Sequence, residues 1–282
     1  MPRVRQKYSQ RMFNGNAMAG MRIDFESDPN ETDEQIDRKL AERFQILSQL
    51  TDACIKGHAR SLIVSGPAGL GKSYTVEQKL EQWDTAGAKF TIVKGYVRST
   101  GLIKTLYRFR EKGNVIVFDD ADTIFFDDVS LNLLKTVCDT TDKRRVSWLS
   151  EGSLVDEESA ERIPKSFEFE GTIIFISNHD FDAMIERGHK LAPHLQAMIS
   201  RSHYIDLAMK SKRDYLVRIR QVVDQGLLSM LTDEEKCDVL TYIDANSDKL
   251  RELSLRMVLK IGGIRKTSQN WERVANITCC RQ

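Results

Sequence analysis

Hydrophobic residues recur at helical spacing along the first clearly patterned stretch of the chain, at Ile36, Leu40, Phe44, Leu47 and Leu50. Thr32 precedes them and two acidic residues follow it, which is typical of the capped start of a helix. The pattern therefore predicts a helix of about six turns that begins at residue 32 and ends near residue 57.

Short apolar runs rich in β-branched residues then alternate with helical patterns. We predict strands at residues 61–65, 89–94, 114–119, 172–177 and 203–207. Helical patterns fill the intervals at 72–83, 100–111, 127–139 and 191–200. This alternation of strands and helices predicts an α/β fold built on a parallel sheet.

One connection, between residues 139 and 172, is too long for a simple loop. Residues 144–149 and 166–170 both have strand patterns, and a polar segment at 151–163 separates them. We therefore predict a β-hairpin insertion at about residues 143–170. Beyond residue 211 only helices are predicted, at 213–228, 232–245, 249–261 and 270–278.

These patterns predict three parts: an N-terminal arm at 1–31, an α/β core at 32–209 and a small helical domain at 210–282. The arm contains Arg3, Arg5, Lys7 and Arg11, with no acidic residue among the first eleven positions. We expect this arm to be flexible, and it either stays solvated or touches nucleic acid.

Composition narrows the class of protein. The 282 residues include 42 basic and 41 acidic side chains, so a net charge of +1 gives no global field for a nucleic-acid coat or a membrane surface. The five cysteines form no C-x-x-C pair, which suits a reducing cytosol without a zinc site or a disulfide framework. The hydrophobic pattern suggests neither secretion nor a membrane-spanning segment. We expect a soluble, cytoplasmic protein.

The first candidate site fits the phosphate-loop pattern G-x-x-x-x-G-K-[ST] at every fixed position. It lies between a predicted strand and a predicted helix, where glycines free backbone N–H groups for phosphate and the helix dipole adds positive potential. A purely structural glycine-rich turn is the alternative. The sequence predicts that a nucleoside triphosphate binds at Gly66, Pro67, Ala68, Gly69, Leu70, Gly71, Lys72, Ser73 and Tyr74.

The predicted strand at 114–119 ends in two carboxylates, Asp119 and Asp120. We expect Asp119 to hold Mg²⁺ through water together with the Ser73 hydroxyl, and Asp120 to orient and polarise the attacking water. The alternative is that the two acids only cap the following turn.

From about Glu34 to Met257 the chain resembles the AAA+ ATPases. The phosphate loop is similar to their Walker A motif, and residues 115–120 are similar to Walker B. Residues 172–178 resemble the strand that ends in the sensor-1 residue, here Asn178. Residues 198–202 resemble the Ser-Arg-Cys segment of clamp loaders and contain Arg201, whereas residues 253–256 resemble sensor 2 and end in Arg256.

The resemblance implies a three-layer core followed by a helical lid, with ATP and Mg²⁺ bound between the subunits of a ring or spiral homo-oligomer, a hexamer. It implies that Lys72 binds phosphate, Asn178 lies near the γ-phosphate, Arg256 reaches the phosphates and Arg201 enters the neighbouring subunit's site. Family members usually have glutamate where this chain has Asp120, so its turnover is expected to be slower. As alternatives, Arg201 pairs with Asp206, and Arg256 pairs with Glu252 at helical spacing.

Two segments are candidates for substrate contact. Tyr96 and Val97 follow the second predicted strand, where AAA+ translocases carry a pore pair that grips polypeptide. In the predicted hairpin, Arg144, Arg145 and Trp148 combine charge with an aromatic ring, which suits phosphate contact and base stacking. The sequence leaves three outputs open: a remodeller or loader acting on nucleic acid, which we favour, a protein unfoldase, and a slowly hydrolysing assembly switch.

Overall fold

The computed structural model describes residues 30–149, 152–156, 158, 160–209 and 211–281. In chain order, its strands are β1 (Ser61–Ser65), β2 (Phe90–Lys94), β3 (Val115–Asp119), β4 (Arg145–Ser147), β5 (Leu154–Val155), β6 (Arg162–Ile163), β7 (Ser166–Glu168), β8 (Thr172–Ser177) and β9 (His203–Asp206). Its helices are α1 (Asp33–Ile55), α2 (Lys72–Trp83), α3 (Ser99–Arg108), α4 (Asp128–Val137), α5 (Phe181–Glu186), α6 (Ala192–Ile199), α7 (Lys212–Asp224), α8 (Asp233–Asn246), α9 (Leu255–Thr267) and α10 (Trp271–Cys279). A short 3-10 helix spans Asp122–Phe125. Residues 1–29 of the predicted basic arm lie outside the described residues.

Five strands form one parallel sheet in the order β2-β3-β8-β1-β9. All five were predicted from the sequence, so the predicted α/β fold with a parallel sheet is confirmed. β1, β3 and β8 are buried at every position, as expected for apolar runs covered on both faces. Because the strands are parallel, the residues that follow β1, β3 and β8 meet at one edge of the sheet.

Two hydrophobic clusters cover the two faces of this sheet. Leu62 and Val117 belong to the cluster that packs against α1 and α2. Their neighbours in sequence, Ile63 and Phe118, point to the opposite face and pack against α3, α4 and α6. The core is therefore a three-layer arrangement with the sheet in the middle.

The predicted hairpin insertion is present, with β4 and β7 paired antiparallel and Arg145 opposite Glu168. Inside it, the two-residue strands β5 and β6 form a second small ladder. The sequence did not predict this ladder, because two-residue strands are too short to produce a visible alternation. The six-residue helix α5 was missed for the same reason.

The helices α7 to α10 share a third hydrophobic cluster and form the predicted helical C-terminal region. Three boundaries were wrong: α7 ends at Asp224 and not at residue 228, and α9 begins at Leu255 and ends at Thr267, not at residues 249 and 261. Ser254 starts this helix, since its Oγ accepts a hydrogen bond from the Met257 N–H at 3.1 Å. The three-part domain division stays a prediction. No helix in the described part of the chain has an apolar stretch long enough to cross a membrane.

Candidate nucleotide-binding site

The loop between β1 and α2 has a backbone that only glycine adopts readily. Gly66, Gly69 and Gly71 have φ angles of +140°, +75° and +96°. The loop is also closely covered, since a Cβ on Gly69 would lie 2.7 Å from the Ser254 Cβ, and one on Gly66 would lie 3.0 Å from the Leu207 carbonyl carbon. Gly71 caps α2 without a side-chain hydrogen bond. The backbone N–H groups in the first turn of α2 therefore have no acceptor within the helix and are available to bind an anion.

Lys72 is folded back over its own loop. Its buried Nζ donates hydrogen bonds to the carbonyl oxygens of Gly66 and Pro67, the latter at 2.7 Å, and to Asn178 Oδ1 at 3.0 Å. Burial lowers the pKa of Lys72 to about 8, and the charges of Asp120 and Asp119 offset part of that shift. The Lys72 ammonium group thus donates hydrogen bonds to three oxygen atoms of the protein. Phosphate oxygens are equally suitable acceptors for these hydrogen bonds.

Ser73 and Asp119 lie together at the same edge of the sheet. Ser73 Oγ donates a 2.8 Å hydrogen bond to Asp119 Oδ1, and Lys94 Nζ lies 3.3 Å from Asp119 Oδ2. One hydroxyl and one buried carboxylate are the oxygen donors that Mg²⁺ prefers, with water and phosphate completing its shell. The described residues contain no cluster of three His, Cys, Asp or Glu side chains that would form a metal cage. The donor set therefore fits a magnesium ion that arrives with phosphate.

Asp120 and Asn178 are joined by a hydrogen bond of 2.6 Å from Asn178 Nδ2 to Asp120 Oδ1. Asn178 therefore bridges the Lys72 ammonium and the Asp120 carboxylate. Asp120 has a φ of +53°, which is unusual for a residue with a side chain and marks local backbone strain. The Asp120 N–H donates to the Ile176 carbonyl at 3.0 Å, which fixes the turn after β3.

The start of α9 is docked onto the loop, because the Leu255 N–H donates to the Gly69 carbonyl at 2.8 Å. Arg256 lies in the first turn of α9, and its charge contributes to the lowered pKa of Lys72. Glu252 precedes α9, so the alternative pairing with Arg256 at helical spacing is wrong.

A cavity of 630 Å³ lies between the loop and the C-terminal helices, within the size range of ligand pockets. Its polar lining includes loop residues, Asp120, Asn178 and Arg256, and its apolar lining includes Val222, Leu227 and Leu259. The exposed Tyr74 lies at the same cavity. The predicted loop, carboxylate, amide and lid residues are thus brought together at one place.

Arg218 also lines this cavity and was not identified from the sequence. The helical spacing of Asp214, Val217, Arg218 and Gln221 could be read from the sequence, but the burial of this face is seen only in the structure. An arginine on the buried side of an amphipathic helix is unusual enough to indicate a site.

Arg201 is separate from the cavity of its own chain. It precedes β9 and so lies where the parallel strands begin, whereas the phosphate loop lies where they end. The Arg201 Nη1 donates a hydrogen bond to the Ala197 carbonyl at 2.8 Å. Its Nε is buried without a hydrogen-bond partner among the described residues.

Two of the residues expected to contact substrate are buried, and that expectation is wrong for them. Val97 packs in the core beside α3, and its N–H donates to Thr123 Oγ1. Arg144 is 7% exposed, donates to the Val137 carbonyl and lies over the Phe169 ring. Trp148 is partly buried against the same core.

The remaining two substrate candidates are accessible. Tyr96 is 70% exposed, and its hydroxyl accepts a hydrogen bond from Arg98 Nε at 3.3 Å. Arg145 is exposed and donates to Ser166 Oγ.

No protein-family model matches the chain. Among solved structures, the chain is similar to the RuvB Holliday junction branch migration motor of Thermotoga maritima, with 12% identity, a TM-score of 0.46 and coverage of 86% of this chain and 68% of that one. It is also similar to NtrX of Brucella abortus, with 13% identity, a TM-score of 0.41 and coverage of 87% and 55%. Similarities at these scores carry no weight for function.

A sequence relative gives a closer relationship. It is an uncharacterized 36.7 kDa protein in the nrdC-mobD intergenic region of Enterobacteria phage T4. The two sequences are 37% identical over 250 residues, which cover 87% of this chain and 76% of the phage T4 protein. The chain therefore belongs to the family of this phage T4 protein.

Proposed function

We propose that the chain is an AAA+ ATPase that binds ATP with Mg²⁺ at the phosphate loop and hydrolyses it. The observation that carries this proposal is the convergence of Lys72, Ser73, Asp119, Asp120 and Asn178 at one edge of the sheet. These side chains come from separate β-α segments of the chain. If the glycine-rich turn had only a structural role, there would be no reason for them to lie together.

In the proposed reaction, Lys72 exchanges the carbonyl oxygens of its own loop for phosphate oxygens. Asn178 and Asp120 hold the water that attacks the γ-phosphorus, and the bond to the β–γ bridging oxygen breaks to release ADP. Asp120 accepts the proton of that water, while Arg256 adds positive charge from the lid. Bound Mg²⁺ would neutralise phosphate charge beside Ser73 and Asp119.

We propose that the active form is a ring or spiral of identical subunits, a hexamer, in the cytoplasm. The position of Arg201 supports this, because a residue at the opposite sheet edge reaches phosphate only in a neighbouring copy. A head-to-tail interface that closes on itself meets that requirement. The five cysteines are free thiols, in keeping with a reducing compartment.

We propose a macromolecular substrate, with nucleic acid favoured. The exposed Tyr96 with Arg98 beside it, and the exposed Arg145 on the insertion, offer stacking and phosphate contact. A polypeptide threaded past Tyr96 is the alternative, since an exposed aromatic ring serves either polymer.

A slowly hydrolysing switch is a further candidate, and one observation favours it. The carboxylate of Asp120 is already bound by Asn178, and its backbone has a positive φ. Hydrolysis then requires this pair to open.

Steady-state release of phosphate from Mg·ATP tests the enzymatic proposal. We expect wild type to be active and Asp120→Asn to lose about a hundredfold or more, because asparagine cannot accept the proton. Asp128→Asn, an exposed acid in the first turn of α4, is the matched control and should keep wild-type activity. Equal rates for the two variants would contradict the role of Asp120.

Adding polymers to the same assay separates the outputs. Stimulation by single-stranded DNA supports the nucleic-acid motor, whereas stimulation only by an unfolded polypeptide supports the threading alternative. A slow single turnover that neither polymer accelerates supports the switch.

A further inference from the structure

A buried guanidinium lies beside the phosphate loop with little to neutralise it. Arg218 in α7 is 5% exposed, and its guanidinium carbon lies 3.4 Å from the centroid of the Phe44 ring. Its Nη1 donates to Gln221 Oε1 at 2.5 Å, and its Nε is buried without a hydrogen-bond partner among the described residues.

Burial lowers the pKa of Arg218 to about 10, and the charge of Asp37 offsets only part of that effect. Among the described residues, no carboxylate lies within ion-pair distance of this guanidinium. A buried charge without an anion is costly, so an anion that reached it would be strongly stabilised.

The Nη2 end of this guanidinium faces the loop. Arg218 Nη2 lies 3.6 Å from the position of a Cβ built on Gly71, the residue that caps α2, and Arg218 lines the cavity. Arg218 lies on α7 and Arg256 lies in the first turn of α9, and both side chains line the cavity. The two arginines therefore approach the cavity from different helices.

We propose that Arg218 binds the phosphate chain of the nucleotide at the Gly71 end of the loop and that Arg256 binds its terminal phosphate. This rests on the proposed nucleotide binding. Gln221 extends the contact to the core, because its Nε2 donates to the carbonyl and Oδ1 of Asp37 at 3.0 and 2.9 Å. Nucleotide binding at Arg218 would therefore affect the position of α1 as well as that of the C-terminal helices.

Calorimetric titration with Mg·ADP and Mg·ATP tests this inference in wild type, Arg218→Met and Arg256→Met. Arg218→Met should weaken ADP and ATP alike by at least about tenfold, ~1.4 kcal/mol, because the contact precedes the γ-phosphate. Arg256→Met should weaken ATP more than ADP. Arg220→Met is the control, since Arg220 lies on the same helix but pairs with Asp33 and Asp244.

Thermal unfolding without nucleotide separates binding from support of the fold. Arg218→Met should unfold no lower than wild type, because it removes an uncompensated buried charge, yet gain less stability from ADP. Arg218→Lys, which keeps the charge without the planar fork, should bind ADP with intermediate affinity.

Three results would overturn the inference: ADP affinity within twofold of wild type in Arg218→Met, a loss confined to ATP, or wild-type affinity in both Arg218→Met and Arg218→Lys with a lowered unfolding temperature. If wild type itself bound neither nucleotide, the proposed function would fall first. Binding by wild type with no effect at Arg218 would overturn this inference alone.

Discussion

Lys72, Asn178 and Asp120 form one continuous series of hydrogen bonds at the edge of the sheet. In the proposed reaction each of these groups serves a bound triphosphate or the attacking water, yet in the structure each is satisfied within the chain. On that proposal, a nucleotide replaces protein oxygens at Lys72 before Asp120 is released. Because these side chains hydrogen-bond to one another and to the loop, no buried polar group among them is left without a partner.

Nucleotide affinity should fall as pH rises through about 8. Lys72 has its pKa lowered to about 8, so it is an ammonium below this pH and loses its proton above it. Phosphate binds the ammonium form of Lys72, so above pH 8 the nucleotide can bind only if Lys72 takes up a proton. Nucleotide affinity should therefore drop by up to about tenfold per pH unit above pH 8. Titrations of ADP at pH 7 and pH 9 measure this, with Lys72→Arg as the variant that stays charged. Equal affinity of wild type at the two values would exclude the shift.

Gly69 is expected to tolerate no side chain. Alanine there would combine a φ of +75° with a Cβ placed 2.7 Å from the Ser254 Cβ. Gly87 is a matched control, because it has a φ of +65° with nothing within 4 Å of the same position. Gly69→Ala should lower the free energy of unfolding by ~1–3 kcal/mol more than Gly87→Ala. Chemical denaturation measures both, and similar losses would show that lid and loop are not in contact.

Sequence reasoning identified the loop and the paired carboxylates because their chemistry needs fixed residue types at fixed spacing. It did not identify Arg218, which approaches Gly71 only once α7 has packed on α1. It misjudged Val97 and Arg144 because sequence shows residue type and not exposure, and both turn inward.

At the scale of elements, the 3-10 helix after β3 holds the segment that carries Tyr96. Thr123 Oγ1 accepts from the Val97 N–H at 3.2 Å and donates to the Val97 carbonyl at 3.4 Å. The same 3-10 helix begins two residues after Asp120. A change at the carboxylate can thus be passed to an exposed aromatic side chain through one hydroxyl.

Thr123→Val should weaken this connection without altering the nucleotide cavity. We expect basal ATP hydrolysis within about twofold of wild type and polymer stimulation reduced several-fold, because both backbone groups of Val97 lose their partner. Thr136→Val, which loses only a hydrogen bond within α4, is the control. Unchanged stimulation in Thr123→Val would mean that the Tyr96 segment is not coupled to the site in this way.

The long elements were predictable because apolar strands and amphipathic helices repeat a period over many residues. Boundaries set by a single cap were not, as the start of α9 at Leu255 illustrates. The contact of that start with Gly69 is what forms the lid side of the site, and only the packed structure reveals it.

At the scale of the whole molecule, the loop and Arg201 lie at opposite edges of the same sheet. This polarity suits head-to-tail assembly, in which one copy supplies Arg201 to the loop of the next. Neither a ring nor its number of subunits can be derived from residue spacing in the sequence, because no residue pattern in a single chain specifies how many copies assemble.

Mixing two variants that we expect to be inactive tests this assembly. In the proposed ring, Arg201→Ala lacks the residue supplied to a neighbour, whereas Asp120→Asn lacks the residue used in its own site. In mixed rings, an Asp120→Asn subunit still supplies Arg201 to an Arg201→Ala subunit with an intact Asp120. We expect partial recovery of ATP hydrolysis on mixing. No recovery, or full activity of Arg201→Ala alone, would remove the support for a shared site.

The most direct measurement is an equilibrium titration of Mg·ATP into the wild-type protein and into Lys72→Met. Lys72 contributes a charged hydrogen-bond donor at the centre of the loop, so we expect saturable binding to wild type and a loss of about 10- to 100-fold in the variant. Absence of binding to wild type, or equal binding by the two proteins, would contradict the assignment of residues 66–73 as a nucleotide site.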